Sequence, residues 1–165
     1  MAKKVAYAGM LVALAMVFSY VEALIPINFG IPGIKLGLAN LVVLSGLYRM
    51  KPGEIFLVSA ARILLVGFLY GNGVSIIYSL AGGVLSFVVM YILIRTGGFS
   101  PAGVSVAGGV SHNIGQILIA AAVLQSSKIF YYLPALIISG VVTGFLMGVL
   151  SVRVLKAIDG RADKG

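Results

Sequence analysis

Six apolar runs leave this chain few ways to fold: Val5–Ile25, Leu36–Leu47, Glu54–Tyr70, Val74–Ile94, Val104–Leu124 and Ile129–Val152, separated by short stretches that carry charged, polar, Gly or Pro residues. A run of about 20 apolar residues crosses a bilayer as a helix. Inside lipid the backbone must satisfy its own hydrogen bonds, which a single helix does and an open strand does not. With 61% of the 165 residues hydrophobic and only 10% charged, the composition excludes an ordinary soluble domain. The expected fold is an all-α integral membrane protein, with six transmembrane helices in one domain over residues 1–158 and a polar tail over 159–165. Leu36–Leu47 is short for a full crossing. Either part of the Pro/Gly-rich loop Pro26–Lys35 dips into the membrane, or neighbouring helices shield this segment. The first run begins like a signal peptide but lacks a small-residue cleavage site and is read as a retained span.

The formal charge of +8 is spread singly or in pairs at the ends of the runs, so it speaks for membrane topology and not for nucleic-acid binding. With both termini cytoplasmic, nine basic residues fall on the inner side (Lys3, Lys4, Arg49, Lys51, Arg95, Arg153, Lys156, Arg161, Lys164) and two on the outer (Lys35, Lys128). That asymmetry predicts an N-in, C-in, multi-pass protein. Tyr7, Tyr20, Tyr48, Tyr70, Tyr131 and Tyr132 fall near span ends, in the interfacial role that Trp, absent here, often takes.

Much chemistry is excluded. No Cys means no disulfide and no thiolate nucleophile or ligand, and the redox compartment stays unread. No phosphate-cradling loop for ATP occurs. With one His, and with Glu22 and Glu54 expected on opposite sides of the membrane, no metal site, cofactor or catalytic residue is expected. Ser111 is adjacent to His112 and so points elsewhere on a helix.

The polar residues that do enter the spans are therefore informative. In the fifth run, Ser105, Gly109, His112 and Gln116 recur at 4, 3, 4 spacing on one helix face, with Asn113 beside His112; Gly108, Ser111 and Gly115 form a second, all-small face. The polar arc should point into the bundle, either for inter-helix hydrogen bonding or for a solute. Arg62 lies in the middle of the third run. A central Arg costs roughly 2.5–3.5 kcal/mol on insertion scales, so a carboxylate, carbonyls, water or an anionic ligand should face it. Glu22, one turn inside the outer end of the first run, is either a hydrated carboxylate or part of a site. Gly9 and Ala13 form a small pair suited to close helix contact, and Gly140, Gly144 and Gly148 form a packing ridge.

Three segments, Pro32-Gly-Ile-Lys-Leu-Gly-Leu-Ala-Asn40, Arg62-Ile-Leu-Leu-Val-Gly-Phe-Leu-Tyr-Gly71 and Gly108-Gly-Val-Ser-His-Asn-Ile-Gly-Gln116, resemble the bacterial family called Gx transporters, also labelled heptaprenyl diphosphate synthase component I. That family looks related to the S components of energy-coupling factor transporters. The resemblance implies an S-component-like bundle in the bacterial cytoplasmic membrane that captures a small, anionic solute from outside. Arg62, His112, Asn113 and Gln116 would form the pocket floor, with Lys35 and Asn40 at the outer mouth and Glu22 nearby. It also implies docking on a T-like membrane subunit with ATPases, with Gly9-Met-Leu-Val-Ala13 standing where S components carry A-x-x-x-A. The synthase label implies a different role, that of a non-catalytic membrane partner of a prenyl diphosphate synthase or another quinone-pathway enzyme. Catalysis by this chain does not fit, since the Asp-rich magnesium motifs of those synthases are missing.

Overall fold

The computed structural model describes residues 2–24 and 37–162, with side chains for 5–22, 24 and 37–156. The described residues form α1 (Ala2–Leu24), α2 (Leu38–Leu47), α3 (Pro52–Tyr70), α4 (Gly73–Thr96), α5 (Pro101–Leu124), a 3-10 helix (Ser127–Tyr132) and α6 (Leu133–Ala162). Local chemistry sets the boundaries. Pro52 and Pro101 occupy the first turns of α3 and α5, where a missing N–H costs nothing. Asn72 and Ser75 close a reciprocal capping box at the start of α4, with Ser75 N–H donating to Asn72 Oδ1 at 2.8 Å and Asn72 N–H donating to Ser75 Oγ at 3.0 Å. Gly97 ends α4 at φ 69°, a left-handed geometry that suits Gly.

Five of these helices are long and apolar enough to cross a membrane. Large apolar side chains cover their outer surfaces, among them Phe68, Ile92, Leu118, Ile138 and Phe145, all exposed. A surface of that kind is matched to lipid. The chain is a helical, multi-pass membrane protein. α2 has only 10 residues, a rise of about 15 Å, roughly half a hydrocarbon core. It is enclosed instead of lipid-facing, with Ala39, Val42, Val43, Leu44, Gly46 and Leu47 all buried.

Other boundaries depart from the sequence expectation. The last run begins as a 3-10 helix, and α6 starts at Leu133 and not at Ile129. Pro134 explains the shift: an α-helix begun at Ile129 would place it in the interior, where its ring clashes with the carbonyl four residues back. α6 then continues to Ala162, through the boundary expected at 158. α5 starts at Pro101, three residues before the expected Val104, with Ser100 Oγ accepting from Gly103 N–H at 3.2 Å.

Successive helices alternate in direction. Tyr20 and Tyr70 meet at 5.3 Å between ring centroids near the C-terminal ends of α1 and α3, so those two helices run parallel. Arg49 reaches the Leu155 carbonyl at 3.4 Å, which makes α2 and α6 parallel. Against these, α5 runs antiparallel to both α4 and α6, and the contacts are made backbone to backbone. A Cβ added at Gly109 would lie 2.6 Å from the Gly140 carbonyl oxygen, and one at Gly115 2.8 Å from the Ala81 carbonyl oxygen. The two faces expected on α5 thus both pack: Gly108 and Gly115 on α4, Ser105 and Gly109 on the glycine ridge of α6. Between the helices one half of the bundle is filled by a core of Val43, Leu44, Leu47, Ile55, Phe87, Met90 and Val104.

These contacts predict a sharp contrast between glycines. A Cβ at Gly144 would meet Val106 Cα at 2.7 Å, whereas one at Gly9 meets nothing within 4 Å. Gly144→Ala should therefore destabilise the detergent-solubilised protein by about 1–3 kcal/mol, and Gly9→Ala should leave its thermal midpoint unchanged. Equal midpoints for the two variants would contradict the packing described.

Candidate functional site

Above the apolar core, at the end of the bundle where α1 finishes and α2 begins, the helices enclose a cavity of about 60 Å³. It has room for a few waters or the head of a small anion. Side chains from all six α-helices reach it, including Glu22, Asn40, Arg62, Ser79, His112 and Thr143. The sequence signals on α1, α2, α3 and α5 therefore converge on one space.

Arg62 is held from the α1 side. Its Nη1 donates to the buried Ser19 Oγ at 3.2 Å, and the Glu22 carboxylate acts electrostatically on the guanidinium. Glu22 Oε1 also accepts from the Gly37 N–H at 2.6 Å, tying the end of α1 to the residue that precedes α2. Gly37 itself adopts φ 73°, and its carbonyl accepts from Asn40 N–H at 2.9 Å, which turns the chain into α2 at the cavity rim. Guanidinium offers five N–H donors. Arg62 Nε is buried with no hydrogen-bond partner among the described residues.

On the opposite wall, His112 lies against α4, where a Cβ added at Gly82 would come 3.0 Å from its Cε1. Asn113 lines the same cavity but is partly committed: its Nδ2 donates to the Leu136 carbonyl of α6 at 2.7 Å. Gln116 departs from the expected floor. It lines a separate, mainly apolar cavity of about 200 Å³, one turn further along α5 and beyond the Asn113–Leu136 bond. Lys35 lies outside the described residues. Gly9 and Ala13 are exposed on α1, away from this site, and Gly9 borders a groove shared with Glu54 and Leu57 of α3.

Ser19, Ser79 and Thr143 were not among the residues singled out for the pocket. Ser19 had a signal, because it sits three residues before Glu22 and so on the same face of α1. Thr143 had none, since its Oγ1 turns back to the Ser139 carbonyl at 2.8 Å, as hydroxyls in apolar helices commonly do. Among the described residues, no three His, Asp or Glu side chains approach closely enough to hold a metal ion.

Neither the curated proteins nor the solved structures compared with the chain gave a match. A family profile did, and it spans residues 11–154, from the third turn of α1, just past Gly9, to the residue after Arg153 in α6, and therefore covers all the elements that build the cavity. Over that length the chain belongs to the family described as heptaprenyl diphosphate synthase component I.

Proposed function

We propose that this protein is a membrane-embedded binding and transport component, similar to the S components of energy-coupling factor transporters, that takes a small anion into the Arg62 cavity from the outer side of the bacterial cytoplasmic membrane. The observation that carries the reading is a permanently charged guanidinium, buried beside a cavity and with donor capacity left over. Its planar fork suits carboxylate or phosphate. In this reading all six α-helices count as spans and both termini are cytoplasmic; Pro26–Lys35, expected to help α2 across, lies outside the described residues. The apolar core then lies in the inner half and the cavity, lined by Asn40, in the outer half. Energy for transport comes from a T-like subunit with ATPases that approaches the exposed Gly9 and Ala13. The chain itself catalyses nothing.

A second reading has the family description in its favour: a non-catalytic membrane subunit that partners a prenyl diphosphate synthase. Native mass spectrometry of the gently purified protein separates the two. A retained small anion supports the first, a stoichiometric synthase the second.

Glu22 gives the anion reading a signed test. Its carboxylate competes with a bound anion for Arg62. Glu22→Gln should therefore tighten retention of the anion, whereas Arg62→Gln should weaken it by about 2–5 kcal/mol while leaving the protein folded. If both variants lower the thermal midpoint and neither changes retention, Arg62 is a structural ion-pair partner and the pocket reading fails.

Orientation is tested by cysteine labelling, since the native chain has no Cys. Ser127→Cys and Tyr131→Cys, both at exposed positions, should react with an impermeant thiol reagent on intact cells, and Gly98→Cys should not. The reverse pattern would overturn the outward-facing cavity.

A further inference from the structure

The Arg62 cavity and the apolar cavity beyond it are neighbours along α5. Asn113 lines the first and Leu136 the second, and the 2.7 Å bond from Asn113 Nδ2 to the Leu136 carbonyl stands between them. Opening that partition leaves the Leu136 carbonyl with its partner in the α6 ladder, and the buried Asn113 amide then needs another acceptor, which the anionic head of a ligand supplies. The two spaces differ in character. One is small and lined by Arg62, His112 and Glu22; the other is walled by Tyr78, Ile117, Ala120, Leu124 and Leu136, with Gln116 on the side nearer His112. Its inner wall is tight, with Ile117 and Leu136 buried, and its mouth lies where Leu124 and Tyr132 are exposed.

We infer that the two cavities form one bipartite site for an amphiphilic anion, the charged head beside Arg62 and a short hydrocarbon chain in the space between Ala120 and Leu136. The inference rests on the anion-binding reading of the Arg62 cavity and adds the class of ligand. Volume sets the chain length. A dry apolar cavity of about 150 Å³ holds a benzene-sized guest. The 200 Å³ here accommodates a chain of about six to eight carbons, and a longer one must emerge past Leu124 and Tyr132 into lipid. Gln116, which does not reach the anion cavity, then contacts the ligand where head joins chain.

Alkyl phosphates test this on the full-length protein in nanodiscs of zwitterionic lipid. Methyl phosphate should bind in an Arg62-dependent way, and hexyl phosphate at least about tenfold more tightly, because each buried methylene adds to affinity. Ala120→Phe fills the apolar space and Leu124→Trp narrows its mouth; each should bring hexyl phosphate down to the affinity of methyl phosphate without changing the latter. A diazirine at the chain end of hexyl phosphate should label the peptide containing Ala120 and Leu124, a readout that needs no variant to fold. Equal affinities along the series in the wild type, or label confined to other helices, would overturn the bipartite site while leaving Arg62-dependent phosphate binding in place. A phospholipid retained in mass spectra and not displaced by hexyl phosphate would assign the apolar cavity to a bilayer lipid and overturn it as well. Failure of methyl phosphate to bind at all would remove the anion reading and this inference together.

Discussion

The close approach of α5 to α4 and α6 is the contact on which everything else in this structure depends. In lipid there is no hydrophobic force to press helices together, so their association rests on how near the backbones come. Here Gly109 and Gly140, Gly144 and Ser105, and Gly115 and Gly82 bring main chain against main chain on both sides of α5. That leaves α5 with little freedom to rotate, and its one arc of larger polar side chains, His112 and Asn113, is turned toward the remaining space in the bundle. Asn113 reinforces the clamp with its bond to the Leu136 carbonyl.

A second set of contacts, from α1, keeps a charge at the middle of α3. Arg62 is a costly residue in hydrocarbon, and the structure offsets it locally, with Ser19 as acceptor and Glu22 as counter-charge from α1. Glu22 in turn holds the Gly37 N–H, so the charge pair also positions the start of α2. Below this polar layer lies an apolar core in which Leu44, Ile55, Met90 and Val104 are fully buried.

Much of this was legible in the residues. The apolar runs marked the helices, because lipid tolerates few alternatives; the glycine ridge of α6 announced its own packing; and the isolation of Arg62 in an apolar run called for a carboxylate, carbonyls, water or an anion to face it, of which the Glu22 carboxylate is present. What failed to come through was height and neighbourhood. Gln116 shares the helical angle of His112, but it stands about 6 Å further along the axis, where the Asn113–Leu136 bond has already divided the interior. Periodicity fixes direction around a helix and says nothing about which neighbour stands at that level. The start of α6 is hidden from hydropathy for a simpler reason, since hydropathy is blind to the backbone demands of Pro134. Ser19 shares a face with Glu22, but a lone serine in an apolar helix commonly satisfies itself, so its bond to Arg62 becomes visible only once α1 and α3 are side by side.

The central claim is that the Arg62 guanidinium faces a space that an anion enters. With five arginines in the chain, the side-chain Nε–H signals of arginine-labelled protein can be assigned one by one by substitution. The account predicts a single signal, absent in Arg62→Gln, that is slow to exchange with water and shifts when inorganic phosphate is added, while those of Arg49, Arg95 and Arg153 do not move with it. An Arg62 signal that stays fixed at saturating phosphate, with the protein folded, would contradict it.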